Sequence, residues 1–244
     1  MSRKFYWITI SKDYLIGFGL LLLVIYILSL PSSYHLAELS MAVMSTPVKY
    51  DIVIDPGHGG IDSGGIGAGS VYEKDLVLDI ALRMQRCLET AGLKVGLTRD
   101  SDTDVTHLAT KAGTRHQRDL DGRFMAVHEG VLGISIHANI AKNAREQGAL
   151  VFYLRDSYID KQYAELVLKQ IEKVQVLNYK HPVPRSNLLL LKAKLPVLLI
   201  EVGFLSNPED LAKLTNSQFR QTLAEALSRG IVSFYNVYRS ERTE

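Results

Sequence analysis

Cysteine is almost absent: Cys87 is the only one in 244 residues. That excludes an intramolecular disulfide framework and a structural zinc site built on thiolates. Charge of one sign is missing as well. Lys and Arg number 28 against 26 Asp and Glu, a formal net charge of +2, too small to predict nucleic acid or an acidic polymer as a partner. There is no internal repeat and no low-complexity tract. With hydrophobic residues at 47% and charged residues at 22%, the composition excludes a disordered or fibrous chain. The length fits one domain of about 200 residues with something short attached.

Long apolar runs are scarce too, with one exception. Residues 14–30 read YLIGFGLLLLVIYILSL, uncharged and preceded by Arg3, Lys4 and Lys12. A spanning helix needs about 17 to 20 apolar residues, so this run is just long enough, with Phe5, Tyr6 and Trp7 placed for an interface. The preceding cations predict a cytoplasmic N-terminus and an exported remainder. The competing reading is a cleaved signal, but nothing after the run matches A-x-A well. The expected organisation is a cytoplasmic stretch over 1–13, a transmembrane anchor or signal segment over 14–31, a linker over 32–48, a catalytic domain over 49–239 and a tail over 240–244. The expected location is membrane-anchored with the domain on the extracytoplasmic side, or secreted if the segment is cleaved.

From Val48 onward, short β-branched runs alternate with amphipathic segments. Strands are expected at 50–55, 93–99, 132–138, 149–154 and 196–204, and helices at 74–91, 115–129, 158–176 and within 217–238. This alternation predicts an α/β fold, one domain with a twisted, mostly parallel sheet and helices on both faces. Cys87 falls in a helical pattern with Leu76, Ile80, Met84 and Leu88, which reads as a core thiol rather than a nucleophile, since no basic or helix-start surroundings would lower its pKa. The polar stretch 101–117 reads as a surface loop, its His107 and His116 solvated.

Three strand ends carry a residue able to bind a metal or move a proton. His58 follows VIDPG, His137 ends GISIHAN, and Glu201 sits in LLIEVGF. Ligands of open α/β sheets bind beyond the carboxyl ends of strands, so the three are candidates to converge. Glu73, in VYEKD, stands where the first helix begins, a place where the helix dipole favours any carboxylate. Together, two histidines, two glutamates and a Gly-rich loop supply the parts of a catalytic zinc site: three protein ligands, an open position for water, and a carboxylate to work on it. Which glutamate is ligand and which is base stays open at this level. The HExxH helix of common metalloproteases is absent. No GK[ST] follows GGIDSGGIGAGS (59–70), which removes a P-loop reading.

The motifs IDPGHGGIDSGGIG (54–67), YEKD (72–75), LTRDSD (97–102), SIHAN (135–139), GALVFY (148–153) and PVLLIEVGFLSNPED (196–210) occur in that order. In this the sequence resembles the zinc-dependent N-acetylmuramoyl-L-alanine amidases of bacterial cell-wall metabolism, over residues 50–238. The resemblance implies one catalytic Zn2+ held by His58, Glu73 and His137, with Glu201 as the catalytic carboxylate. It implies hydrolysis of the amide between the muramic acid lactyl group and L-alanine, with peptidoglycan as substrate. Arg99 and Arg123 also fall at recurrent family positions and read as structural ion pairs, with substrate contact as the alternative.

Length, apolar N-terminal segment and lone catalytic domain look most like the germination-specific amidases of spore formers, which implies a part in making the muramic lactam of the spore cortex. A site on strand-end loops with no supporting domain would bind metal weakly by itself, which leaves room for an activating protein partner. The rival from another class is an inactive family member acting as a cell-wall binding or regulatory module; the presence of all four chemistry positions argues against it.

Overall fold

The structure is a computed structural model that describes residues 48–242 and, apart from these, Leu20. The following concerns the compact unit that begins at Val48. Apart from Leu20 and Val48, the segments expected at 1–13, 14–31 and 32–48 lie outside the described residues. Among the described residues no helix is long and apolar enough to cross a membrane.

The elements in chain order are β1 (Tyr50–Pro56), β2 (Ile66–Gly67), β3 (Val71–Tyr72), α1 (Glu73–Thr90), β4 (Val95–Leu97), α2 (Arg115–Val127), β5 (Gly130–Asn139), β6 (Leu150–Leu154), α3 (Tyr158–Ile171), β7 (Val183–Arg185), β8 (Val197–Phe204), α4 (Pro208–Thr215) and α5 (Ser217–Ser240). Six strands form one sheet in the order β4-β1-β5-β8-β6-β7. The first four are mutually parallel, β6 runs antiparallel to β8, and β7 follows β6. A mixed α/β domain with a mostly parallel sheet is therefore observed, and β2 and β3 make a small separate hairpin.

Alternation along the strands sorts their side chains onto two faces. Ile52, Ile54, Ile134, Ile136, Leu198 and Ile200 point into a core shared with apolar residues of α1, α3 and α5. Val53, Phe152 and Val197 point the other way, into a smaller cluster with Val127 of α2 and Leu190 and Leu191. Strands covered on both faces have to be apolar throughout, which is why they read as continuous runs. By the same alternation Asp55, Ser135, His137 and Glu201 belong to the thinner face, and this is the face that carries the chemistry.

Helix starts follow their capping residues. Thr114 and Gln117 form a capping box at α2, Ser157 caps α3, and Asn207 with Pro208 opens α4. Several expected bounds are corrected. The helix expected over 158–176 stops at Ile171, because the chain turns there to bring Gln175 inward, where its amide donates to the carbonyl of Val202. The strand expected over 93–99 is only Val95–Leu97; Thr98 N still donates to Ile54 O, and beyond it the side chains of Thr98 and Arg99 serve Asp55 and the loop after β1. Helix α4 and strand β7 had no counterpart in the sequence reading. Cys87 lies on α1 but is only partly buried, so it is not a core thiol.

Candidate active site

The loop after β1 folds back on itself at backbone angles that most residues avoid. His58 has φ 60°, followed by Gly59 at 128° and Gly60 at 59°. A non-glycine residue held in the left-handed region costs of order 1–3 kcal/mol and persists only where its surroundings fix it. Gly57 is required by a close approach rather than by its own angles: a Cβ there would sit 2.3 Å from Cε1 of His137. The run PGHGG thus lets one histidine be presented by a strained turn while the backbone beside it lies against the other.

His58, Glu73 and His137 come together, with one donor atom from each within 4.8 Å of the others. His58 Nε2 is 3.1 Å and His137 Nδ1 is 3.0 Å from Glu73 Oε1, and the two nitrogens are 3.2 Å apart. The rings meet edge to face at 84°. Three ligand atoms about 2.0–2.1 Å from a tetrahedral zinc ion are about 3.3 Å apart, so this triangle has the size and the donor set that zinc takes. Glu73 is the first residue of α1 and buried. Its Oε2 accepts from Gly65 N at 2.7 Å and its Oε1 from Ala138 N at 2.9 Å. Burial works against its charge, yet the two histidines hold its pKa well below the usual carboxylate range. Burial likewise opposes a charged His58, but hydrogen bonds to Glu73 and Asp62 raise its pKa.

A second ring of side chains fixes this geometry, and part of it was missed in the sequence. Asp62 Oδ2 lies 3.0 Å from His58 Nδ1, the carboxylate partner that orients a ligating imidazole. Its only signal was a carboxylate four residues after a histidine in a glycine-rich loop. Asp102 accepts from Gly60 N at 2.8 Å and from Lys74 Nζ at 2.7 Å, while Lys74 also donates to Gly60 O.

Of the two arginines, Arg123 forms the structural ion pairs expected, whereas Arg99 serves backbone carbonyls. Arg99 donates to the carbonyls of Pro56, Gly57, Lys74 and Ser101. Arg123, 3% exposed, pairs with Asp55 and Asp119 at 2.7 Å each and donates to the carbonyls of Pro56 and His58. Asp55, the charged residue ending the apolar run of β1, also accepts from Thr98 and Ser135. Arg123, with burial against it, is kept charged by these two aspartates.

Glu201 stands opposite His137 in the pairing of β5 with β8. It is within the strand rather than at its end, because the chain continues apolar through Phe204. Its Oε2 is buried with no hydrogen-bond partner among the described residues. Burial pushes its pKa up to about 7; the charge of Glu73 adds to this and the two histidines oppose it. It shares a cleft of about 470 Å³ with His58, His137, Arg123, Phe152 and Arg185. His116 is exposed, as expected, but it stands in the first turn of α2 rather than in a loop and borders the same cleft, and His107 is an exposed residue of a short 3-10 turn.

The site is thus a metal-sized triangle of His, Glu and His on a mostly parallel sheet, beside a carboxylate with one buried oxygen unpartnered among the described residues. Residues 52–233 match the family model described as N-acetylmuramoyl-L-alanine amidase. The chain belongs to this family. The germination-specific N-acetylmuramoyl-L-alanine amidase of Bacillus subtilis is 31% identical over 242 residues, 96% of this chain and 97% of that one. Among solved structures, the CwlD amidase from Clostridioides difficile, in complex with the GerS lipoprotein, is 30% identical with a TM-score of 0.70, covering 76% of this chain and 98% of that one. The amidase AmiC2 of Nostoc punctiforme is 31% identical with a TM-score of 0.62, over 76% and 96%. The activity of the family is hydrolysis of the amide between the muramoyl lactyl group and L-alanine of peptidoglycan, and this chain is an amidase of that kind.

Proposed function

We propose that His58, Glu73 and His137 hold one zinc ion and that Glu201 is the carboxylate that moves the proton during amide hydrolysis. The observation that carries this reading is the division of labour between the glutamates. Glu73 is fixed by Gly65 N with its Oε1 within 3.1 Å of both histidine nitrogens, inside the ligand triangle, whereas Glu201 keeps a buried oxygen free of partners among the described residues. Zinc bound by the three residues would supply a Lewis acid for the amide carbonyl and lower the pKa of a water molecule to about 7. Glu201 takes a proton from the attacking water and returns it to the departing alanine nitrogen. Arg99 and Arg123 act at a distance from the reacting atoms by fixing the carbonyls around His58.

Further parts of the reading rest on the relatives. Similarity along almost the full length to a germination-specific amidase supports a role in spore germination, through muramic lactam formation in the cortex. The partner of the Clostridioides difficile enzyme supports a lipoprotein as the activating partner. The cations ahead of the apolar run 14–30 support an anchored domain on the extracytoplasmic side. The experiment is digestion of intact peptidoglycan by the full-length chain in detergent with zinc, with products identified by mass spectrometry. Stem peptides beginning at L-alanine, lost on chelation, are expected. Fragments cut within the stem peptide, or activity indifferent to chelation, would contradict it.

A further inference from the structure

Resting on that assignment of the reacting end of the cleft, we infer that Arg185 is the anion anchor of the same cleft, receiving a free carboxylate of the substrate's stem peptide a short distance beyond the scissile amide. Two arginines line the cleft, and they differ in what surrounds them. Arg123 is spent on Asp55 and Asp119. Arg185 has no carboxylate partner among the described residues; its guanidinium makes one long bond, 3.3 Å to the carbonyl of Pro184, and lies 4.8 Å over the ring of Phe152.

Stacking on an aromatic face fixes the plane of a guanidinium without using its edge, and that edge is the fork that accepts a carboxylate in bidentate fashion. The group is partly buried rather than waving in solvent, so a partner there is less screened than at an open surface.

Register places it at a useful distance. Leu150 of β6 lies opposite Glu201, and Leu154, four residues on, lies opposite Arg185. Two strand spacings and four residues of strand put the Cα of Arg185 roughly 16 Å from that of Glu201. A long side chain on the same face of the sheet spans part of that, leaving a separation of a residue or two of extended peptide. Asn187, exposed on the same wall, offers an amide to the same group. A peptide whose first residue after the scissile bond is L-alanine therefore brings the carboxylate of its next residues to this fork.

The test compares two soluble muramoyl peptides, one with the carboxylate of the residue after L-alanine free and one with it amidated. Their affinities are measured by calorimetry on the full-length chain carrying Glu201→Gln, so that nothing is turned over. The free acid should bind roughly tenfold to hundredfold more tightly. Arg185→Ala in that background should bring the two to equal affinity, and Arg185→Lys should restore part of the difference. A folded Arg185→Lys keeps the test informative where Arg185→Ala does not fold. Equal affinity for the two ligands before Arg185 is changed, no binding of either, or a preference that survives Arg185→Ala overturns the inference. The hydrolytic reading fails separately, through absence of released stem peptide with the unmutated chain.

Discussion

His137 and Glu201 face each other across neighbouring parallel strands, and their situations are opposite. The nitrogen of one is 3.0 Å from Glu73, while an oxygen of the other is buried with no partner among the described residues. A buried carboxylate oxygen without a partner costs stability, so its persistence marks a place where function outweighs packing.

Asp62 gives a prediction about metal rather than chemistry. Asp62→Asn weakens the hold on the His58 ring, and zinc affinity should fall about 10- to 100-fold, read by competition with a chromogenic chelator. The helices and sheet should be intact by circular dichroism. Unchanged affinity would show that the 3.0 Å contact does not orient a ligand.

Gly57→Ala places a methyl group where the His137 ring now lies, 2.3 Å from its Cε1. The ring has to move, so the variant should lose zinc, measured as bound metal per chain, while retaining a cooperative unfolding transition. Retention of a full equivalent of zinc would contradict the account of why glycine stands there.

Arg123→Met leaves Asp55 and Asp119 buried and uncompensated, each 5% exposed or less. Removing one partner of a buried pair costs about 3–5 kcal/mol, and denaturant unfolding should show a loss of that order. A loss under about 1 kcal/mol would mean that the two aspartates find other partners.

Asp160 supplies a pH dependence away from the metal. Burial at the start of α3 raises its pKa to about 6, against hydrogen bonds from Ser157 and Val197 that lower it. Between about pH 4 and 6 the unfolded chain releases this proton and the folded chain keeps it. Stability therefore falls as pH rises through that window, by up to about 3 kcal/mol, and the loss is complete above pH 6. Asp160→Asn should be more stable than the unmutated chain at pH 7 and no more stable near pH 4, by unfolding at both. A difference independent of pH would contradict it.

The reach of the sequence had physical limits. His58, His137 and Glu201 stood out because each is a polar residue in or just after an apolar strand, and neighbouring strands bring such residues together. Glu73 was visible as a helix start. Asp62 and the Asp102 and Lys74 clamp were not, because their contacts depend on a loop path through left-handed angles that no periodicity encodes. The reversed direction of β6 was equally hidden, since an apolar run such as LVFYL reads the same either way. Strand β7 is three residues long and contains Pro184, too short for alternation to register. The start of α4 is legible in the sequence, as Asn207 followed by Pro208 and two acidic residues.

The most direct test of the central claim is to measure bound zinc and stem-peptide release together in two variants of the full-length chain. Glu201→Gln should keep one equivalent of zinc and lose turnover by a factor of about 100 or more, while His137→Ala should lose both. Equal zinc loss in the two variants, or turnover in Glu201→Gln close to that of the unmutated chain, would contradict the division between ligand and proton carrier.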